Sequence, residues 1–237
     1  MDFLADVVAW FARPEHWRGA AGVPNRTYEH VQMSAFAIAC AALVALPAGA
    51  LLGHIRRGGL LATSVVNIGR AIPSFAIVAL ALPISLRLGL GLGFWPTWLA
   101  MFLLALPPLF TNTYTAMTGV DPETLSAARG MGMREREILL SVEIPLGAPL
   151  ILAAVRVATL HVIATVPLGA LVGWGGLGRL IIDGLAVRDY PQAFAGALLV
   201  AVLAVSMEGV YSIAERFVLP RGVQRAADVS TFVARPI

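Results

Sequence analysis

The sequence has 237 residues, 58% of them hydrophobic and 13% charged, with a formal net charge of +3. A soluble domain holds about 45–50% apolar and about 25% charged residues, so this balance argues for a bilayer as solvent. All 17 basic residues are Arg, scattered between apolar runs and not gathered on one polar face, so no nucleic-acid partner is expected. The single cysteine, Cys40, rules out an internal disulfide and is expected to be a packing residue.

At the start of the chain Phe3, Val7, Trp10 and Phe11 recur at helical spacing. Asp2, Asp6 and Arg13 bracket a stretch too short to cross a bilayer, which predicts a short helix lying on the membrane surface. Residues 1–30 as a whole read as an extracytoplasmic or interfacial segment, with no cleavable signal expected. The first span is expected at 31–53, because 23 residues without formal charge separate His30 from His54. A helix needs about 20 residues to cross the hydrocarbon core. A basic hairpin, His54-Ile55-Arg56-Arg57-Gly58-Gly59, follows.

The second span is expected at 60–86, interrupted by Asn67, Arg70 and Pro73. The third is expected at 96–118, within a charge-free run from Leu88 to Val120, with Trp95 and Trp98 as interfacial anchors. Residues 119–145 are polar, and Asp121-Pro122 reads as an N-cap followed by an N1 proline. The fourth span, 146–172, contains Arg156 and His161, and the fifth, 191–215, contains Glu208. Residues 31–217 thus form a five-span domain, and 218–237 a polar tail.

With five spans, the 54–59 hairpin, the 119–145 loop and the tail lie on one side of the membrane and hold nine Arg against six on the other. The positive-inside rule makes that side cytoplasmic, with the N-terminus out and the C-terminus in.

Gly173-Trp174-Gly175-Gly176-Leu177-Gly178 matches the G-x-G-x-x-G pattern. A dinucleotide site needs a strand before it and an acid about 20 residues on; here a membrane-length helix precedes and Asp183 comes too early. A tightly packed helix end is the better account. A P-loop requires a Lys, and the sequence has none, so ATP cannot be bound in that way by this chain.

The stretch Ser126-Ala127-Ala128, then Gly132, then Ile144-Pro145 is similar to the "EAA" loop of binding-protein-dependent ABC importer permeases, with Ser126 where that family usually has Glu. Further motifs resemble the osmoprotectant branch, whose members serve glycine betaine, carnitine, choline and proline betaine. They are Gly119-Val120-Asp121-Pro122-Glu123, Ala128-Arg129-Gly130-Met131-Gly132-Met133, Asn112-Thr113-Tyr114, Ala71-Ile72-Pro73-Ser74 and Gly175-Gly176-Leu177-Gly178.

The resemblance implies an all-α polytopic membrane protein: a five-transmembrane-helix, MetI-like ABC permease core with a cytoplasmic coupling helix. It implies a second permease subunit, identical or not, a cytosolic ABC ATPase that holds the ATP, and a separate extracytoplasmic solute-binding protein. No cofactor, metal or catalytic residue is expected in this chain. The ATPase-coupling residues would be Ser126, Ala127, Ala128, Gly132, Met133, Arg134, Glu135, Ile138, Ile144 and Pro145. Gly132 would permit a sharp change of direction. Ile138, Leu139 and Val142 would offer an apolar face to a groove on the ATPase, with Arg134–Glu137 as a polar rim, and Pro145 would end the segment.

Arg70, Asn112, Arg156, His161 and Glu208 are the candidate pathway or ion-pair residues within the membrane. An ionisable residue there usually faces a partner or a wet cavity. Arg156 lies about ten residues from the cytoplasmic end of its span and Glu208 about seven from the end of its own, depths that agree within about 5 Å and suggest an ion pair. Two other classes compete: an ion-driven secondary transporter would call for an internal repeat, and an intramembrane enzyme for a nucleophile–base set, whereas His161 stands alone in its span.

Overall fold

The computed structural model describes residues 3–59, 64 and 73–218, and every regular element among them is helical. In chain order these are α1 (Phe3–Ala12), α2 (Val23–His54), α3 (Ser74–Arg87), α4 (Phe94–Thr118), α5 (Pro122–Gly130), α6 (Glu135–Ile138), α7 (Ile144–Thr165), α8 (Gly178–Ala186) and α9 (Tyr190–Val218). A π-turn, Leu139–Glu143, joins α6 to α7, and 3-10 turns occupy Pro14–Trp17 and Val166–Val172. Among the described residues, four helical stretches are long and apolar enough to cross a membrane: Val23–His54, Phe94–Thr118, Glu135–Val172 and Tyr190–Glu215. The 14-residue α3 covers the second half of the span expected at 60–86. Arg70 and Asn67 lie outside the described residues.

The first spanning helix begins at Val23, eight residues before the charge-free run that marks it in the sequence. Its polar first turns are satisfied within the protein, in part locally. Arg26 Nη1 donates to Glu29 Oε2 at 2.9 Å, and Asn25 Nδ2 donates to Glu29 Oε1 at 3.2 Å. The helix therefore does not have to stop where the apolar run does. At the same end of the bundle, where His30 Nε2 lies 3.0 Å from the Ile163 carbonyl, α7 gives way after Thr165 to a tighter turn containing Pro167, which has no N–H for an α-helical bond.

The core lies between α2, α4 and α7. Met33, Ala37, Ala41 and Ala45, each one turn after the last, meet Ala100, Met101, Ala105 and Leu109 of α4 and Ala154, Ala158 and Val162 of α7. Small side chains let helix backbones approach closely where lipid supplies no hydrophobic drive between helices. The same stripe continues through Gly49 and Gly53. A Cβ at Gly49 would stand 2.7 Å from the Phe110 carbonyl oxygen, and one at Gly53 2.7 Å from Met117 Cβ.

The N-terminal helix is not a free surface helix along its whole stripe. Val7 and Trp10 are buried, Trp10 against Val23, Leu177, Leu180 and Ala195, and Phe3 meets the Phe194 ring edge-on at 5.4 Å. The apolar face expected to meet lipid is thus largely used on α8 and α9, while Leu4 and Val8 stay exposed. The glycine-rich segment 173–178 is a packing device. Gly176 N donates to Glu29 Oε2 at 2.7 Å, and a Cβ on Gly175 would run into that carboxylate.

Candidate coupling region and intramembrane charges

The connector between α4 and α7 is built from local signals. The Asp121 carboxylate accepts from Glu123 N at 3.1 Å, and Pro122 occupies the first turn, which together start α5. Gly132, at φ +84°, reverses the chain in a conformation that side-chain-bearing residues rarely adopt. Glu137 Oε2 then accepts from Arg134 N at 2.7 Å and starts α6.

Within this turn Val120, Leu125, Ala128 and Ile138 are buried together, with Met133 and Val142 packed against them. This corrects the expected apolar face. Ile138 is fully buried in the connector's own small core, Val142 packs there too, and Leu139 packs on Ala50, Ala116 and Met117. The large apolar side chains left exposed on the connector are Met131 and Leu140. Ser126, Ala127, Arg129, Gly132, Arg134, Glu135, Arg136 and Glu137 are exposed, Ile144 is half-buried, and Ala128 faces inward. Pro145 does not end the segment. It sits in the first turn of α7, directly after the π-turn, and the helical path runs on through it from Glu135 to Thr165.

A charged chain ties the connector to α2. Arg129 Nε and Nη2 donate to the two oxygens of Glu135 at 2.8 and 3.1 Å. The hydrogen bond and the charge of Glu135 hold the Arg129 guanidinium above its already high ordinary range. Glu135 Oε2 also stands 3.3 Å from His54 Nε2, and the other ring nitrogen of His54, Nδ1, bonds Glu143 Oε2. Glu143 is fully buried. Beside it, Arg56 Nη2 donates to the Val120 carbonyl at 2.8 Å. In the sequence His54 and Arg56 belong to a basic hairpin, and no local pattern pairs them with residues 64 to 89 positions away.

Within the spans, Arg156 Nε donates to Glu208 Oε2 at 2.9 Å, Nη2 bonds Glu208 Oε1, and Nη1 donates to Glu215 Oε1 at 3.0 Å. The structure therefore brings Arg156 and Glu208 together and adds Glu215, which stands seven residues, two helical turns, beyond Glu208. The same seam holds Thr159 Oγ1 within 2.8 Å of the Tyr211 hydroxyl. His161 is exposed on α7 and Asn112 half-buried on α4, and neither is among the residues that bond Arg156. Phe36, Phe94, Trp95, Trp98, Phe102 and Trp174 form a run of ring contacts 5.1 to 6.1 Å apart near the start of α4.

Residues 45–219 match the family described as binding-protein-dependent transport system inner membrane component. The chain is 36% identical over 205 residues to the choline transport system permease protein OpuBB of Bacillus subtilis (strain 168), covering 86% of this chain and 92% of that protein. It is 35% identical to the glycine betaine/carnitine/choline transport system permease protein OpuCB of the same organism, with the same coverage of both. It is 33% identical to the osmoprotectant import permease protein OsmW of Salmonella typhimurium, covering 86% and 95%. Its fold is similar to a chain of the MetNI methionine ABC transporter in an inward-facing conformation, with TM-score 0.74 at 20% identity, covering 84% of this chain and 96% of that one.

Proposed function

The chain belongs to the binding-protein-dependent transport system inner membrane components, and from that premise we propose that it forms the membrane pathway of an ATP-driven importer for small quaternary-ammonium osmoprotectants. The relatives named for choline, glycine betaine and carnitine, 33–36% identical over most of the chain, support that substrate class. The observation that carries the mechanism is the connector. It is a compact folded unit with an exposed polar rim, and it passes into α7 without a break.

In this reading the chain performs no catalysis. A cytosolic ATPase docks against the connector, an extracytoplasmic binding protein delivers the solute, and a second permease subunit completes the pathway. The connector and the C-terminal tail lie in the cytoplasm and the N-terminus outside. Closure of the ATPases displaces the connectors, and the bundle tilts as a rigid body so that the pathway opens to alternate sides.

The test is uptake of labelled glycine betaine by vesicles containing this chain with its ATPase and binding protein. ATP-dependent uptake that Gly132→Asp abolishes, with the complex still assembled, is the expected result. Gly132 has open space around it but a positive φ, so the substitution strains the turn without filling a contact. ATP-dependent uptake of another small amine or amino acid would revise the substrate alone. Transport by this chain without ATP would overturn the importer reading.

A further inference from the structure

Three helices end at the connector, but only two are continuous with it. The last residue of α4 is Thr118, three residues before the Asp121 cap, and α7 grows directly out of the π-turn. α2 ends at His54, far away in sequence, so a displacement of the connector reaches it only through side-chain contact and packing.

We propose that His54 and Glu143 form the joint that passes connector motion to α2, a proposal that rests on the permease reading above. The π-turn is what presents Glu143 to α2. Residues five apart on an α-helix point about 140° apart. The wider turn, closed by Ile144 N on the Leu139 carbonyl, places both Ile138 and Glu143 on the buried side. Such turns occur mostly as single inserts within α-helices and are frequent at functional sites.

The joint is stiff because a buried carboxylate is costly without a donor. Among the described residues, Glu143 Oε1 has no hydrogen-bond partner, so His54 Nδ1 holds the carboxylate through Oε2. Sliding the connector past α2 would strand that carboxylate, so the two move together. His54 also faces Glu135 through Nε2, which links the joint to Arg129 on the exposed rim. Arg56 on the Val120 carbonyl and Gly53 against Met117 keep the end of α2 close enough for the contact to persist. His54 is in this account a positioning residue that touches no solute.

The experiment uses the complete complex in proteoliposomes and measures glycine betaine uptake and ATP hydrolysis together. In His54→Ala, hydrolysis is expected to stay within about twofold of wild type while uptake per ATP falls about tenfold, a size usual for coupling between sites. His54→Asn, whose amide can donate to Glu143 in place of Nδ1–H, should restore most of that ratio. Glu143→Gln keeps the shape of the buried turn and should lower the ratio by about threefold. A wild-type ratio in His54→Ala, or proportional loss of hydrolysis and uptake, overturns the joint. If His54→Ala does not assemble, an unchanged ratio in Glu143→Gln overturns it equally. Failure of the wild-type complex to take up glycine betaine in an ATP-dependent way counts instead against the substrate or importer reading.

Discussion

The connector and the α7–α9 seam both set an Arg against Glu side chains, but in different surroundings. Arg129 and Glu135 have side chains 49% and 57% exposed on the rim of a loop, whereas Arg156 is 28% exposed within a spanning helix. An exposed pair gives up hydration it can recover from water when broken, and its net worth is small. A pair inside the bilayer has no such substitute, and loss of one member strands the other in a poor solvent. The same chemistry thus holds two helices together in one region and tunes a surface in the other. Within the connector itself, the buried Glu143 behaves like the seam and not like the rim.

The strongest way to break this contrast is Arg156→Leu, which leaves Glu208 and Glu215 without the cation both of them bond. It should destabilise the solubilised chain by about 2 kcal/mol after allowance for partial exposure, read as a lower thermal aggregation midpoint. Exchanging the charges, Arg156→Glu with Glu208→Arg, should recover part of that loss, and no recovery would mean that the pair is incidental. A smaller effect is expected from Asp121→Ala, which removes the cap of α5 and should cost about 1 kcal/mol, seen as faster proteolysis within 119–145. Arg129→Ala should leave the aggregation midpoint unchanged. The smallest effect is that of salt: between low and physiological ionic strength the exposed rim pair weakens while the seam does not, so the salt dependence of uptake should be lost in Arg129→Ala and kept in Arg156→Leu.

Local signals were legible where the physics is local. The charge-free run from Leu88 to Val120 holds α4, Phe94–Thr118, because crossing hydrocarbon demands a long apolar helix. Asp121-Pro122 marked the start of α5 and Gly132 the reversal after it, since a cap and a positive φ depend on neighbouring backbone alone. α2 begins before the charge-free run because Glu29 is paired with Arg26 on the same helix and accepts from Gly176 N, 147 positions away, a contact no local pattern shows. Depth along two helices was enough to suggest Arg156 with Glu208, but Glu215 required knowing the face of α9 that meets α7.

The sequence by itself determined the solvent, the helices and the hinges of the connector, because helix length, capping and glycine conformation are properties of a few consecutive residues. Only the tertiary structure decided where side chains with two plausible destinations went. Ile138 could serve a partner's groove or the connector's own core, and the π-turn sends it inward with Glu143. His54 could be one more charge at a helix end or the donor to a buried carboxylate, and the close approach of α2 to α4 through Gly49 and Gly53 makes it the donor. Those choices depend on which backbones come within contact, and that follows from packing the whole bundle and not from any one stretch of it.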